Sequence, residues 1–161
     1  MKKIIALSFI FSVVTSCNTF AQQGFSYITY DGKGEVWVRE ILEDVKLKDD
    51  ESVSVDTGLC EYANVIFSNL FSCENAYFIP ENIKILNIYD MKGHLILDVS
   101  LDINKYGGTY YEKRLATQII RNALDIDGIN KVTLLIDGKL QALNEGTTIE
   151  EETFWRELTE I

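Results

Sequence analysis

Residues 109–138 read TYYEKRLATQIIRNALDIDGINKVTLLIDG, and they set the fold class. Thr109 stands three residues before Glu112, the spacing of a capping box in which hydroxyl and carboxylate satisfy free backbone N–H groups at a helix start. Behind it Leu115, Ala116, Ile119, Ile120, Ala123 and Leu124 recur at helical spacing, and Asp127-Gly128 supplies the stop. Lys131-Val-Thr-Leu-Leu-Ile136 then runs almost without polar interruption into Asp137-Gly138, the pattern of a well-buried strand. Upstream, Ile83-Lys-Ile-Leu-Asn-Ile-Tyr89 and His94-Leu-Ile-Leu-Asp-Val-Ser100 flank Asp90-Met-Lys-Gly93 and form a hairpin pattern.

Farther toward the N-terminus, Phe25-Ser-Tyr-Ile-Thr-Tyr30 and Glu35-Val-Trp-Val-Arg-Glu-Ile41 surround an Asp31-Gly turn, a second hairpin signal. Leu59, Tyr62, Ala63, Ile66, Phe67, Leu70 and Cys73 follow at three- and four-residue spacings, with Asp56 or Thr57 available as N-cap, and predict an amphipathic helix that ends before Pro80. Lys48-Asp-Asp-Glu51 reads as a solvated loop. The order β-β-α-β-β-α-β predicts an α+β domain with two helices packed on one sheet. Residues 147–161 form an acidic C-terminal segment with a second capping box, Thr148 to Glu151, and Phe154, Leu158 and Ile161 at the spacing of a short docking helix.

The first residues belong to export. Met1-Lys-Lys3 followed by the apolar run Ile4 to Val14 reads as a signal peptide over residues 1–16, too short for the roughly 20 apolar residues of a bilayer span. Val14-Thr-Ser-Cys17 resembles the bacterial lipobox, which makes Cys17 the lipidated residue and residues 17–24 a tether. Thr19-Phe-Ala21 before Gln22 also suits an ordinary signal peptidase, and an uncleaved signal anchor is a third alternative. Each places the body outside the cytoplasm.

The 161 residues carry 15 Lys+Arg against 25 Asp+Glu, a formal net charge of −10. Losing Lys2 and Lys3 with the leader takes this to −12. Phosphate binding needs concentrated positive charge, so a nucleic-acid partner is excluded, and membrane attachment falls to the lipid on Cys17. Cys60 and Cys73 on one continuous helix would lie about 20 Å apart, far beyond the roughly 7 Å limit of a disulfide. Free buried thiols or a shorter helix are the alternatives.

Ile79-Pro-Glu-Asn-Ile-Lys-Ile-Leu86, Leu97-Asp-Val-Ser100, Gly108-Thr109 with Glu112, Gln118-Ile-Ile-Arg-Asn-Ala-Leu124, and Gly128-Ile-Asn-Lys-Val132 running to Ile136-Asp-Gly-Lys139 together resemble the GerMN (sporulation and spore germination) domain. The likeness spans residues 25–146 and is most specific over 79–139. It implies a fold similar to ring-building motifs and an exported lipoprotein without enzymatic activity or cofactor. It further implies an assembly role in the cell envelope, with other envelope proteins or further copies of the chain as partners. Well-known spore members carry more than the one such domain seen here.

Catalytic chemistry has little to build on. His94 is the single histidine, and neither it nor Cys60 and Cys73 shows the paired spacing of a zinc site. Asp98 with Asp102, and Asp125 with Asp127, lack EF-hand spacing and read as loop and cap carboxylates, so no metal is expected. The exposed edge of the 25–41 hairpin is the expected contact surface, since an unpaired strand can add another chain. In the alternative, a module that binds cell-wall glycan or peptide, Trp37, Tyr110 and Tyr111 serve as stacking platforms.

Overall fold

The computed structural model describes residues 23–42 and 55–150. The signal, Cys17 and most of the tether, the acidic loop around 48–51, and residues 151–161 lie outside these. Strands β1 (Gly24–Tyr30) and β2 (Glu35–Ile41) form the first hairpin, followed by helix α1 (Val55–Ser72). Strands β3 (Ile85–Asp90) and β4 (His94–Val99) form the second, and helix α2 (Thr109–Leu124) leads to β5 (Lys131–Ile136). The element order matches the sequence expectation. The expected single sheet does not form: β1 pairs only with β2, and the others make a separate sheet in the order β3-β4-β5.

Within that second sheet β4 and β5 run parallel, from His94 beside Lys131 to Val99 beside Ile136. A parallel pair needs a crossover, and α2 supplies it. Alternation then sorts the strands: Leu95, Leu97, Val132, Leu134 and Ile136 point to the helices and are buried, while His94, Ile96, Lys131, Thr133 and Leu135 on the opposite face are only half-buried. The core closes with Ile66, Phe67 and Leu70 of α1, Leu115, Ile119, Ile120 and Ala123 of α2, and Phe25 and Tyr27 of β1.

Three local expectations change. Helix α1 starts at Val55, so Asp56 and Thr57 lie inside its first turn and cannot be its N-cap, a position that needs non-helical backbone. Its length holds Cys60 and Cys73 at opposite ends, not bonded to each other, and both are half-buried rather than buried. Helix α2 is capped by Gly108 at φ 96° and ψ 136°, with no side-chain cap bond, so the Thr109–Glu112 box does not form.

Glu112 has another task. It is fully buried, accepting the backbone N–H groups of Glu145 at 2.6 Å and Thr147 at 2.8 Å and the hydroxyl of Tyr106. A local box reaches three residues back, whereas this carboxylate reaches the loop beyond β5. That loop returns to the core through Leu143 and Ile149, and Leu134 N–H donates to the Ile149 carbonyl at 3.0 Å. Glu150 pairs antiparallel with Thr133 at the same edge, so Thr148 does not start a helix there.

At the opposite end of the sheet the β3–β4 turn is built on Gly93 at φ +86°. A Cβ there would sit 2.6 Å from the Gly128 carbonyl oxygen, and the Gly93 carbonyl accepts N–H groups from Asn130 and Lys131. Only glycine allows this approach, which ties the hairpin to the α2–β5 loop.

Candidate interaction surface

A two-stranded hairpin has two outer edges, and each presents backbone donors and acceptors in alternation. The outer edge of β1 is closed by side chains of α2. Asn122 Oδ1 accepts the Ser26 N–H at 2.7 Å, and Asn122 Nδ2 donates to the Ser26 carbonyl at 2.7 Å. Gln118 Oε1 accepts the Ile28 N–H at 2.8 Å, and the Ile28 carbonyl accepts the Tyr77 N–H at 2.8 Å. Gln118 completes the circuit by donating to the Tyr77 carbonyl at 2.9 Å. Both amides are buried, so these bonds are made away from water. Among the described residues β2 pairs with β1 alone, and its other edge meets no strand.

One face of β2 is matched to α2 by charge. Glu35 accepts an ion pair from Arg114 at 2.8 Å, the Arg121 guanidinium lies over the Trp37 ring 4.4 Å from its centroid, and Arg39 pairs with Asp125 at 2.8 Å. Residues 35, 37 and 39 share a face by strand alternation, so the hairpin is oriented against the helix along its whole length. Glu40 accepts the Tyr27 hydroxyl, and burial followed by this carboxylate pushes the Tyr27 pKa up to about 12.

Where the hairpin turn meets the start of α2, aromatic rings form a continuous ridge. Tyr30 meets Tyr77 edge-on at 4.8 Å, Phe78 contacts Tyr110 at 5.8 Å and Tyr111 at 5.4 Å, and Tyr111 stacks on Tyr106 at 4.9 Å. Phe78 holds the centre at φ 62°, a left-handed backbone that costs a non-glycine residue about 1–3 kcal/mol. Tyr30, Tyr77 and Tyr110 remain about half-exposed, at 48%, 50% and 54%. Glu35 also receives the hydroxyls of Tyr30 and Tyr110, linking ridge to hairpin.

The residues expected as stacking platforms are thus divided. Tyr110 and Tyr111 belong to the ridge, although Arg114 lies against the Tyr110 ring and Tyr106 covers one face of Tyr111. Trp37 contacts α2 at Arg121, eleven residues and so about 16 Å farther along the helix than Tyr110, with one ring face under the guanidinium. Sequence reasoning missed Tyr30, at the end of β1, and the adjacent pair Tyr77-Phe78 in the loop after α1, two segments joined only by the fold.

The remaining polar candidates are held in structural contacts. His94 Nε2 meets Thr133 Oγ1 at 2.8 Å across the parallel pair. Asp98 is buried and accepts the Gly138 N–H at 2.8 Å. Lys105 and Ser100 hold the Asp102 carboxyl below its usual range, and Asp125 takes Arg39. Among the described residues no three His, Cys, Asp or Glu side chains gather as metal ligands, and no helix is long and apolar enough to cross a membrane. A shallow cavity of about 330 Å³ is lined by Leu101, Asp102, Asn104, Lys105 and Asn144, and it adjoins the Tyr106 end of the aromatic ridge, where Asn144 Nδ2 donates to the Tyr106 carbonyl at 3.3 Å.

Comparison with known proteins places this architecture. The chain is similar in structure to the first GerMN domain of the sporulation protein GerM from Bacillus subtilis, with a TM-score of 0.54 and 17% identity over 80% of this chain and 95% of that one. It is similar to the tandem GerMN domains of the same protein, with a TM-score of 0.53 and 17% identity over 80% of this chain and 45% of the tandem. A structure described as a candidate lipoprotein from Clostridium perfringens has a TM-score of 0.52 and 18% identity over 79% of this chain and 82% of that one. At such identities the likeness is one of fold. No curated protein matches. The sequence profile of the Germane family, described as sporulation and spore germination, matches residues 27–142, most of the chain and every element from β1 to β5. The chain belongs to the Germane (GerMN) family.

Proposed function

We propose that this chain is a non-enzymatic, lipid-anchored protein outside the cytoplasmic membrane, whose GerMN domain joins an envelope assembly by accepting a partner strand on the outer edge of β2. One observation carries the contact surface: α2 closes the β1 edge with buried amides, while β2 is left with half of its residues exposed. A strand edge offers a row of backbone groups to another chain, and main-chain pairing gives affinity without a pocket. The anchor follows from Val14-Thr-Ser-Cys17, and the Clostridium perfringens relative described as a candidate lipoprotein supports it. The tether is short, so β2 works close to the membrane.

Cys17→Ala tests the anchor: the variant should leave the membrane fraction, and unchanged fractionation overturns the lipobox. A photoactivatable side chain in place of Ile41 on β2 should capture a discrete envelope protein or a second copy in intact cells, whereas one in place of Leu86 on β3 should not. Capture from Leu86 alone, or from neither position, overturns the β2 contact. Deletion of the gene scored for spore formation and germination tests the cellular setting that the family description names.

A second function rests on the aromatic ridge. Three half-exposed tyrosines in a row suit the apolar faces of sugar rings or a peptide, so cell-wall glycan or peptide binding is the alternative. Loss of cosedimentation with insoluble cell wall in Tyr30→Ala and Tyr77→Ala supports it, and absence of cosedimentation in the native protein removes it.

A further inference from the structure

A strand edge selects its partner by register, and on β2 the register depends on which residues turn their backbone outward. Leu42 N–H donates to the Gln23 carbonyl at 2.8 Å and Asp31 N–H to the Gly34 carbonyl at 3.2 Å, which marks 23–42 and 31–34 as hydrogen-bonded pairs of the hairpin. Every second pair between them is of the same kind. Val36, Val38 and Glu40 therefore turn their N–H and carbonyl groups to β1, and Glu35, Trp37, Arg39 and Ile41 turn theirs to the outer edge. The far side of the hairpin agrees: Ser26 and Ile28, opposite Arg39 and Trp37, are the β1 residues whose groups reach outward to Asn122 and Gln118. Proline and bulges blunt a strand edge against pairing. On the outer strand of the larger sheet, β3, the register shifts between Ile85 and Asn87, whereas β2 keeps register with β1 over all seven residues and contains no proline.

We propose that the partner strand is β2 of a second copy of this chain, paired antiparallel about a twofold axis through Trp37. This rests on the β2 edge as the contact surface and names what that edge binds. Glu35-Val-Trp-Val-Arg39 is its own complement. With Trp37 opposite the partner's Trp37, Glu35 meets the partner's Arg39 and Val36 the partner's Val38, and the reverse pairs follow by symmetry. Opposite charges and apolar residues paired across strands both stabilise a sheet. Because odd-numbered residues face outward, only registers that set odd against odd can form the ladder. One step in one direction sets Lys33 against the partner's Arg39, and one step in the other sets Val36 against the partner's Glu40. Longer steps set Glu35 or Arg39 against its own like.

The side chains are already oriented for this pairing. On the face that Glu35, Trp37 and Arg39 share, Arg114 holds Glu35 at 2.8 Å and Asp125 holds Arg39 at 2.8 Å. The twofold pair joins these into rows of alternating charge, each running from Arg114 through Glu35 to the partner's Arg39 and the partner's Asp125. Helix α2 bonds to the outer edge of β1, so in the joined four-stranded sheet the two helices lie at opposite ends, away from the axis. Trp37 is 37% and Ile41 50% exposed, apolar surface that the second strand covers. Two short strands make a small interface, under about 1,200 Å², the class of transient association.

The full chain carrying Cys60→Ser, Cys73→Ser and Trp37→Cys should form a disulfide-linked dimer in intact cells, because the residue on the axis faces its own copy at about 5.5 Å between Cα atoms. Leu86→Cys in the same background, on β3, should not. Protein recovered from cells expressing the native chain should sediment as a reversible monomer–dimer mixture between low micromolar and near-millimolar concentration. Arg39→Pro removes an outward N–H and leaves the ladder to β1 intact, so it should weaken the dimer at least about tenfold with an unchanged circular dichroism spectrum. If that variant loses its native spectrum, Arg39→Glu, which sets like charges against the partner's Glu35, is measured in its place with the same expectation. Linkage of Trp37→Cys no greater than that of Leu86→Cys, a monomer at every concentration, or a dimer undiminished by these substitutions overturns the proposal. The photoactivatable probe at Ile41 separates it from the reading beneath it: capture of a different protein alone overturns the second copy and keeps the β2 edge, and capture of nothing overturns both.

Discussion

Replacing Glu112 with Gln should destabilise the domain through a loop more than thirty residues away in sequence. The native carboxylate accepts from Glu145 N–H, Thr147 N–H and the Tyr106 hydroxyl while fully buried. Gln retains one oxygen and turns an NH₂ group toward a donor, so at least one backbone N–H loses its acceptor. A buried unsatisfied group costs about 1–3 kcal/mol, and the lost charge assistance adds to it, giving an expected ~2–4 kcal/mol for Gln and somewhat more for Ala. Total stability for such a domain is about 5–15 kcal/mol, so the loss is a large share of it. Urea unfolding followed by circular dichroism measures it directly.

Acid adds a second reading of the same site. Burial alone would raise the Glu112 pKa, but the bonds from Thr147, Tyr106 and Glu145 outweigh burial and hold it below the ordinary carboxylate value. Burial, followed by the same contact with Glu112, pushes the Tyr106 phenol upward. A depressed carboxyl stabilises the fold above its unfolded pKa of about 4.3 and loses that contribution as pH falls through the folded value. The gap between native and Glu112→Gln proteins should therefore be widest at neutral pH and shrink below about pH 4. A Gln variant within ~0.5 kcal/mol of native at pH 7, or a gap that stays constant into acid, would refute this account of Glu112.

Three further substitutions separate buried contacts from exposed ones. Gly93→Ala combines φ +86° with a Cβ 2.6 Å from the Gly128 oxygen, and thermal unfolding should show a loss of at least about 1–3 kcal/mol. Asn122→Ala orphans the Ser26 N–H and carbonyl, so a loss of ~2–4 kcal/mol is expected, with faster amide exchange at Ser26 measured by NMR. Arg121→Ala removes the cation over Trp37 at a partly exposed site and should cost under ~1 kcal/mol in the same urea assay, while changing Trp37 fluorescence.

Periodicity exposed the elements because each buries one face: the stripe from Leu115 to Ala123 is core in the structure as its spacing implies, whereas the continuous run Val132 to Ile136 buries Val132, Leu134 and Ile136 and leaves Thr133 and Leu135 half-buried on the other face. The misread positions are those whose partners lie far along the chain. Thr109 and Glu112 have the spacing of a local cap, yet Gly108 at φ 96° lets the backbone enter α2 without one, and the carboxylate is drawn to residues 145–147. The aromatic ridge was half legible. Tyr110 and Tyr111 stand out as neighbours in the sequence, but Tyr30, Tyr77 and Phe78 join them only after β1 is seated against α2.

The separation into two sheets has a signal in α2 itself. Gln118 and Asn122 are four residues apart beside an apolar stripe, and an amide offers both a donor and an acceptor, as a peptide group does. Four helical residues rise about 6.0 Å, and two strand residues about 6.7 Å, so this amide pair matches Ser26 and Ile28 in spacing as well as in chemistry. The helix thus stands where a further strand would otherwise pair. Apolar residues at 118 and 122 would leave the Ser26 and Ile28 N–H groups and the Ser26 carbonyl without these partners, and a strand would then be their natural replacement. The same pair of amides that prevents β1 from extending the larger sheet leaves β2 as the hairpin edge available to another chain.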